Sequence, residues 1–243
     1  MLNRIKIFIK RGLLWGLQRR TRRAGVLDSP SAPLIIAPHP DDEVFGCGGF
    51  IAHSIAGGVL PHVVLLTGGG GSHRGCCGMD EEIVVSERRK LTRQALASLG
   101  IPSSHIHFLD FQDGHISDRP QPEMEKLKQL ALSLKPSAIF VPHHGEGWPD
   151  HLAAREIGLE LALLTGATAI EYCVWFWFYK QRRVDWSRAR QLPLSEAEHR
   201  AKLEAIRIYS STSASCGNPY IGQLPSLFLR AHRTPRELYF PAD

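Results

Sequence analysis

From Leu34 onward, apolar runs of five or six residues alternate with longer stretches of helical periodicity. Leu34–Pro38, His62–Thr67, His105–Asp110 and Ser137–Pro142 read as buried strands. Val44–Ala56, Ile83–Leu99, Glu123–Leu134 and Leu152–Leu164 read as the helices between and after them. Alternation of this kind means βαβ units, and so an α/β, Rossmann-like, mostly parallel sheet with helices on both faces. In such sheets ligands bind beyond the carboxyl ends of the strands. Here those ends carry "HPDDE", "TGGGG", "DFQDG" and "HHGEGWPDH", so the polar residues gather where a site belongs. The last third is less regular: Ala169–Tyr179 is an aromatic, β-like run, Ser195–Tyr209 a helix and "ELYF" a short strand. No internal repeat is present, nor any low-complexity tract beyond the glycine loop.

The 243 residues suit one α/β domain, 34–243, preceded by a tail and breaker-rich linker, 1–33. With 43% apolar and 22% charged residues, the composition is that of an ordinary globular chain. Charge changes the picture. Residues 1–27 hold eight of the 29 basic residues and no acid, leaving 21 basic against 24 acidic residues in the body. The net +5 therefore describes a tail, and no nucleic-acid-binding face is expected. In that tail Leu2, Ile5, Phe8, Ile9, Leu13 and Leu17 recur near helical spacing, with Trp15 and basic residues around them. Such a helix either rests on an anionic membrane surface or packs on the body. Lys10 and Arg11 interrupt the apolar run, which makes it a poor signal peptide, and no run is long enough to span a bilayer. A cytoplasmic location is expected, with residues 1–27 in peripheral contact with the membrane's cytoplasmic face under the first alternative.

Cysteines number five, Cys47, Cys76, Cys77, Cys173 and Cys216, without a CxxC pair. That pattern reads as neither a disulfide framework nor a cysteine zinc site. Vicinal Cys76 and Cys77 are expected to be incidental reduced thiols, the alternatives being a redox pair or thiolate ligands.

The first strand runs into His39, Asp41, Asp42 and Glu43. Acids this close repel each other unless they share a partner. A hydrolytic zinc ion takes three ligands from histidine and carboxylate and keeps one position for water. His39 and Asp42, three apart at a strand-to-turn break, can face one point, and His151 after the fourth strand supplies a third ligand. Asp41 is then a free carboxylate placed to take a proton. The small residues Gly46–Gly49 let the next helix begin close by. The plainer reading makes the cluster a turn with Asp42 as helix N-cap, but a second histidine-bearing strand end weighs against it.

"APHPDDEVFGCGG" with the later "PDH" resembles the PIG-L or LmbE-like family of zinc-dependent N-deacetylases, over about residues 34–165. The resemblance implies removal of acetyl groups from N-acetylglucosamine-type amino sugars. It implies His39, Asp42 and His151 as ligands of one zinc ion and Asp41 as general base. "RRKLTRQALASLGI" and "FLDFQDG" are similar to substrate-contacting segments, which implies Arg88 and Asp113 as sugar contacts.

Two positions depart from the family. Trp148 stands where the family has a histidine that helps the oxyanion or the leaving amine, and Gly68 stands where it has an aspartate. His143 or His144 is a candidate replacement imidazole, or a solvated loop residue. Asp150 reads as a carboxylate orienting an imidazole, or as the cap of the next helix. The remaining clusters read more plainly. His53, His62, His105, His107, His115, His199 and His232 show no ligand spacing. "GCGG" lacks the context of a dinucleotide fingerprint. Trp175–Phe178 either lines a groove for a lipid or sugar face or fills alternating strand positions. Two functions follow: a zinc amidohydrolase acting on an N-acetylated amino sugar, or a catalytically silent sugar-binding relative that keeps the metal cage. Trp148 favours the second and Asp41 the first.

Overall fold

The computed structural model describes residues 2–178 and 184–242, with side chains from Lys10 onward. Eight strands among them form one sheet: β1 (Gly25–Val26), β2 (Pro33–Ala37), β3 (His62–Thr67), β4 (Ile106–Phe111), β5 (Ala138–Pro142), β6 (Thr168–Tyr172), β7 (Arg190–Pro193) and β8 (Arg236–Pro241). Their order is β1-β7-β8-β6-β5-β2-β3-β4. All pairs are parallel except those of β8, which runs antiparallel to β6 and β7. The helices are α1 (Leu2–Thr21), α2 (Asp42–Ala56), α3 (Glu81–Leu99), α4 (Gln121–Leu134), α5 (Pro149–Thr165), α6 (Glu196–Ser211) and α7 (Ser226–His232).

Every residue of β2 is buried because both faces of the sheet are covered. Ile35 and Ala37 face one core with Phe45, Phe50, Leu96 and Ile206. Leu34 and Ile36 face the other with Leu127 and Ile157. Side chains alternate across a strand, so a continuous apolar run is what a central strand needs. The chain goes β2, β3, β4 outward in one direction, then starts again on the other side of β2 with β5 and β6. This reversal opens a crevice at the carboxyl ends of β2 and β5. His39 follows β2, and His151 lies in the first turn of α5 after β5.

Four expectations change. The aromatic run leaves the sheet at Tyr172, and Phe176–Phe178 is a 3₁₀ turn. The carboxylate of Glu146 takes the N–H groups of Val174, Trp175 and Phe176, which a continuing strand would have offered to a neighbour. Tyr179, which ended the expected run, lies outside the described residues. Strand β7 and helix α7, both short, are additions to the expected elements. Gly25 and Val26 pair with Arg190 and Gln191, and Leu27 is buried, so the sheet's edge begins inside the segment read as tail and linker. Finally, Gly46 and Gly49 do not serve the metal cluster. A Cβ on Gly46 would lie 2.2 Å from the Tyr172 ring, and one on Gly49 2.6 Å from Leu194. They let α2 pack against β6 and the segment entering α6.

Helix α1 docks by its end. Leu14 and Thr21 are buried and the Arg20 guanidinium lies over the Trp186 ring, while Leu13 and Trp15 point outward. The side chains of Leu2, Ile5, Phe8 and Ile9 lie outside the described residues. No helix among the described residues is long and apolar enough to cross a membrane.

Candidate metal centre and substrate cleft

Between Ala37 and α2 the chain turns through Pro38–Asp41, and Asp41 takes φ = 114°. A non-glycine residue there is strained by about 1–3 kcal/mol and persists only where its surroundings hold it. Four hydrogen bonds do so. The Asp41 carbonyl accepts from Val44 N (3.1 Å) and Phe45 N (2.9 Å), its N–H donates to Glu43 Oε2 (2.9 Å), and Arg88 Nη2 donates to the Pro40 carbonyl. Glu43 is itself fixed by the Tyr209 hydroxyl on α6 (2.5 Å), and burial pushes its carboxyl up to about 7. Neither Glu43's supporting part nor Tyr209 was legible in the sequence, because α6 lies more than 150 residues further along the chain.

Asp42 opens α2, and its Oδ2 accepts from the His39 N–H at 3.1 Å. The same oxygen lies 3.2 Å from His39 Nδ1 and 3.4 Å from His151 Nε2. One donor atom from each residue falls within 4.8 Å of the other two. The outer ring nitrogens meet carboxylates: His39 Nε2 faces Asp150 Oδ2 at 3.1 Å and Asp113 Oδ1 at 3.3 Å, and His151 Nδ1 faces Glu146 Oε2 at 3.4 Å. Two imidazoles and one carboxylate, backed by carboxylates, form a donor set that fits a divalent cation. Glu146 is an addition to the expected residues; the signal was its place in "HHGEGWPDH", between two histidine-bearing positions.

The charge balance agrees with that fit. Burial works against a charged His39, but Asp113, Asp150 and Asp42 outweigh it and raise its pKa well above the usual value. Burial likewise works against Asp42, but His151 and His39 keep its carboxyl below the usual range. Asp41 differs. Burial, then Asp42 and Glu43, raise its pKa well above the usual value against the pull of the Arg88 guanidinium, 3.5 Å away.

A cleft of about 530 Å³ opens over this cluster. His39, Asp41, Asp42 and His151 line its floor, and Arg88 and Asp113 its polar side. The opposite wall is apolar: Trp148, Trp175, Phe228 and Leu224, with the Trp175 ring tilted against Phe228 at 4.4 Å and edge-on to Trp148 at 5.9 Å. Among the described residues of the aromatic run, only Trp175 is in this wall, whereas Phe176 is fully buried.

Arg88 and Asp113 do more than border the cleft. Arg88 also donates to the Gly69 carbonyl at 2.8 Å, tying the exit of β3 to the Asp41 turn. Asp113 accepts from Gly71 N at 2.7 Å while facing His39. Gly68, where the family carries aspartate, is forced: a Cβ there would lie 2.5 Å from Val85. His143 and His144 are not brought to the cleft. His143 is buried, accepts from Gly145 N at 2.8 Å and packs edge-on against Phe176 and Phe240. His144 faces Glu171 at 2.9 Å in a separate pocket with Arg155. No imidazole takes the position of Trp148.

Comparison with known proteins places the chain. The family model described as PIG-L, GlcNAc-PI de-N-acetylase, matches residues 34–162. That is more than half the chain, which belongs to this family. A curated relative, the "putative glucosamine-6-phosphate deaminase-like protein" of Bacteroides thetaiotaomicron, is 24% identical over 82% of this chain but 38% of its own length. The chain thus spans less than half of that relative. Among solved structures, the N,N'-diacetylchitobiose deacetylase of Pyrococcus horikoshii superposes with a TM-score of 0.61 at 19% identity, covering 83% of this chain and 73% of that one. The zinc-inhibited form of teicoplanin deacetylase superposes with a TM-score of 0.67 at 17% identity, covering 86% and 97%. At these identities the likeness establishes the α/β fold.

Proposed function

We propose that the protein is a zinc-dependent hydrolase that removes the acetyl group from an N-acetylated amino sugar. The observation that carries this reading is the convergence of His39, Asp42 and His151 beside the strained, buried Asp41 on the floor of one cleft. Membership of a de-N-acetylase family supports the reaction class. His39, Asp42 and His151 would hold the ion, which would supply Lewis acidity toward an amide carbonyl and a water. This donor set suits zinc and is also compatible with iron or manganese.

Asp41 takes the proton released as water attacks the acetamide carbonyl, then returns it to the departing amine, so acetate and a free amino sugar leave. Asp150 and Asp113 fix the ring of His39, and the Glu146 carboxylate lies 3.4 Å from His151 Nδ1. Arg88 holds the Asp41 turn and, with Asp113, offers polar groups to sugar hydroxyls. Trp148 and Trp175 present a face on which a pyranose ring or its apolar carrier can lie. The outward face of α1, with Leu13, Trp15, Lys10 and Arg11, is proposed to rest on anionic lipid.

The test is acetate release by zinc-loaded protein from a panel of N-acetylglucosamine conjugates carried on lipid, nucleotide, thiol precursor or polysaccharide. Release from at least one class supports the reading. Tight binding of a conjugate with no release from any class would establish the silent sugar-binding alternative.

A further inference from the structure

A second cluster of metal-ligating side chains lies outside the floor of the cleft. His73, Cys76, Cys77 and Cys216 each offer one atom within 4.8 Å of the other three. Cys76 Sγ is 3.5 Å from Cys216 Sγ, and His73 Nδ1 is 3.5 Å from Cys77 Sγ and 3.6 Å from Cys216 Sγ. Zinc lies about 2.3 Å from sulfur and about 2.0–2.1 Å from imidazole nitrogen, so the edges of its tetrahedron are about 3.8 Å for S···S and about 3.5 Å for S···N. The two S···N separations match such edges, and the S···S separation lies within about 0.3 Å of one. They are far from the roughly 2.05 Å of a disulfide, and all five cysteines are free.

The surroundings suit a ligand set. His73 is buried, and its Nε2 donates to the Pro219 carbonyl at 3.0 Å, which fixes the tautomer and leaves a lone pair on Nδ1 aimed at the thiols. The Asn218 side-chain amide donates to Cys76 Sγ at 3.0 Å. Three thiolates and one imidazole are a complete structural zinc set with no open position. Sequence spacing hid it because Cys216 comes 140 positions after Cys76.

We propose that His73, Cys76, Cys77 and Cys216 hold one zinc ion in a closed structural site that clamps together two loops bordering the cleft. One loop follows β3 and places Gly71, Ser72 and Arg74 on the cleft. The other follows α6 and leads through Tyr220 to Ile221 and Leu224 on the facing side. Ser72 Oγ already donates to the Tyr220 carbonyl across this junction at 2.8 Å. Because Gly71 N also holds Asp113, the clamp supports the carboxylate that faces His39. This proposal stands apart from the deacetylase reading, since the first cluster contains no sulfur.

That difference supplies the test. Cobalt(II) is titrated into the full-length chain after reduction and removal of metal by chelation. The proposal predicts a sulfur-to-cobalt charge-transfer absorption that saturates by two ions per chain in the wild type and by one in His39→Ala/Asp42→Ala, and that is abolished by zinc. The band should persist in His39→Ala/Asp42→Ala and disappear in Cys76→Ser/Cys77→Ser and in Cys216→Ser. Should the serine variants fail to fold, the wild-type titration decides alone. Absence of the band in reduced wild-type protein overturns the proposal. So does equal reactivity of Cys76, Cys77 and Cys216 toward a thiol reagent with and without two equivalents of zinc.

Discussion

His39 Nε2 and Asp150 Oδ2 lie 3.1 Å apart, joining the end of β2 to the start of α5 across the crevice of the sheet. Asp150 is not free to turn away. Its Oδ2 also accepts from Gly114 N at 2.7 Å and its Oδ1 from Ile116 N at 3.3 Å, so the loop after β4 locks it. The pair therefore sets the tautomer and tilt of an imidazole whose other nitrogen faces Asp42.

Asp150→Asn should weaken metal binding about 10–100-fold, the usual cost of losing a carboxylate behind a ligating histidine. Competition titration against a chromophoric chelator measures it. Affinity equal to wild type would mean that Asp150 only anchors the loop after β4.

Glu237 and Lys202 form a buried pair at 2.6 Å, and Glu237 also accepts from Gly49 N, Phe50 N and the Tyr239 hydroxyl. Glu237→Gln leaves a buried ammonium without its counter-charge and should cost about 3–5 kcal/mol in urea unfolding. Lys202→Met should cost less, because the carboxylate keeps three donors. Equal losses in the two variants would contradict this assignment.

His143 links stability to pH. Burial, then the neighbouring His144 and Arg155, lower its pKa to about 2 in the folded protein, against about 6.5 in the unfolded chain. Above pH 6.5 both states leave it neutral. Below that, only the unfolded chain takes the proton, so stability falls with pH by up to about 1.4 kcal/mol per unit. His143→Asn keeps an acceptor for Gly145 N and should show a slope shallower by one proton between pH 6 and 4. Unfolding curves with equal slopes would exclude this role.

The tail carries a prediction shaped by its docking. Because Gly25 and Val26 are part of the sheet, charge reversal is a cleaner probe than deletion. Each basic residue near an anionic surface contributes about 1 kcal/mol, an attraction that salt screens. Lys10→Glu/Arg11→Glu/Trp15→Ser should abolish flotation with anionic vesicles at low salt while leaving the cleft's chemistry intact. Equal flotation of variant and wild type would remove the tail as an anchor.

What the sequence revealed was local. The run Leu34–Ala37 followed by His39–Asp42 carries its strand, its turn and two residues of the candidate metal cluster within nine residues, and hydrophobic periodicity located the helices around it. What it hid depends on distant partners. Tyr209 reaches Glu43 from α6, and Cys216 meets Cys76 from a loop 140 positions away. The aromatic run has strand propensity throughout, yet Glu146 takes three of its N–H groups and ends the strand at Tyr172. His143 and His144 sit in the right stretch of sequence but turn toward Glu171 and Phe240.

The central claim is that Asp41 moves the proton while His39, Asp42 and His151 hold the ion. It is tested most directly by measuring metal content and acetate release on one preparation of Asp41→Asn. The account predicts metal content equal to wild type, with turnover lower by about 10²–10⁴-fold. Near-normal turnover with the metal retained would contradict it, because the proton would then have another acceptor.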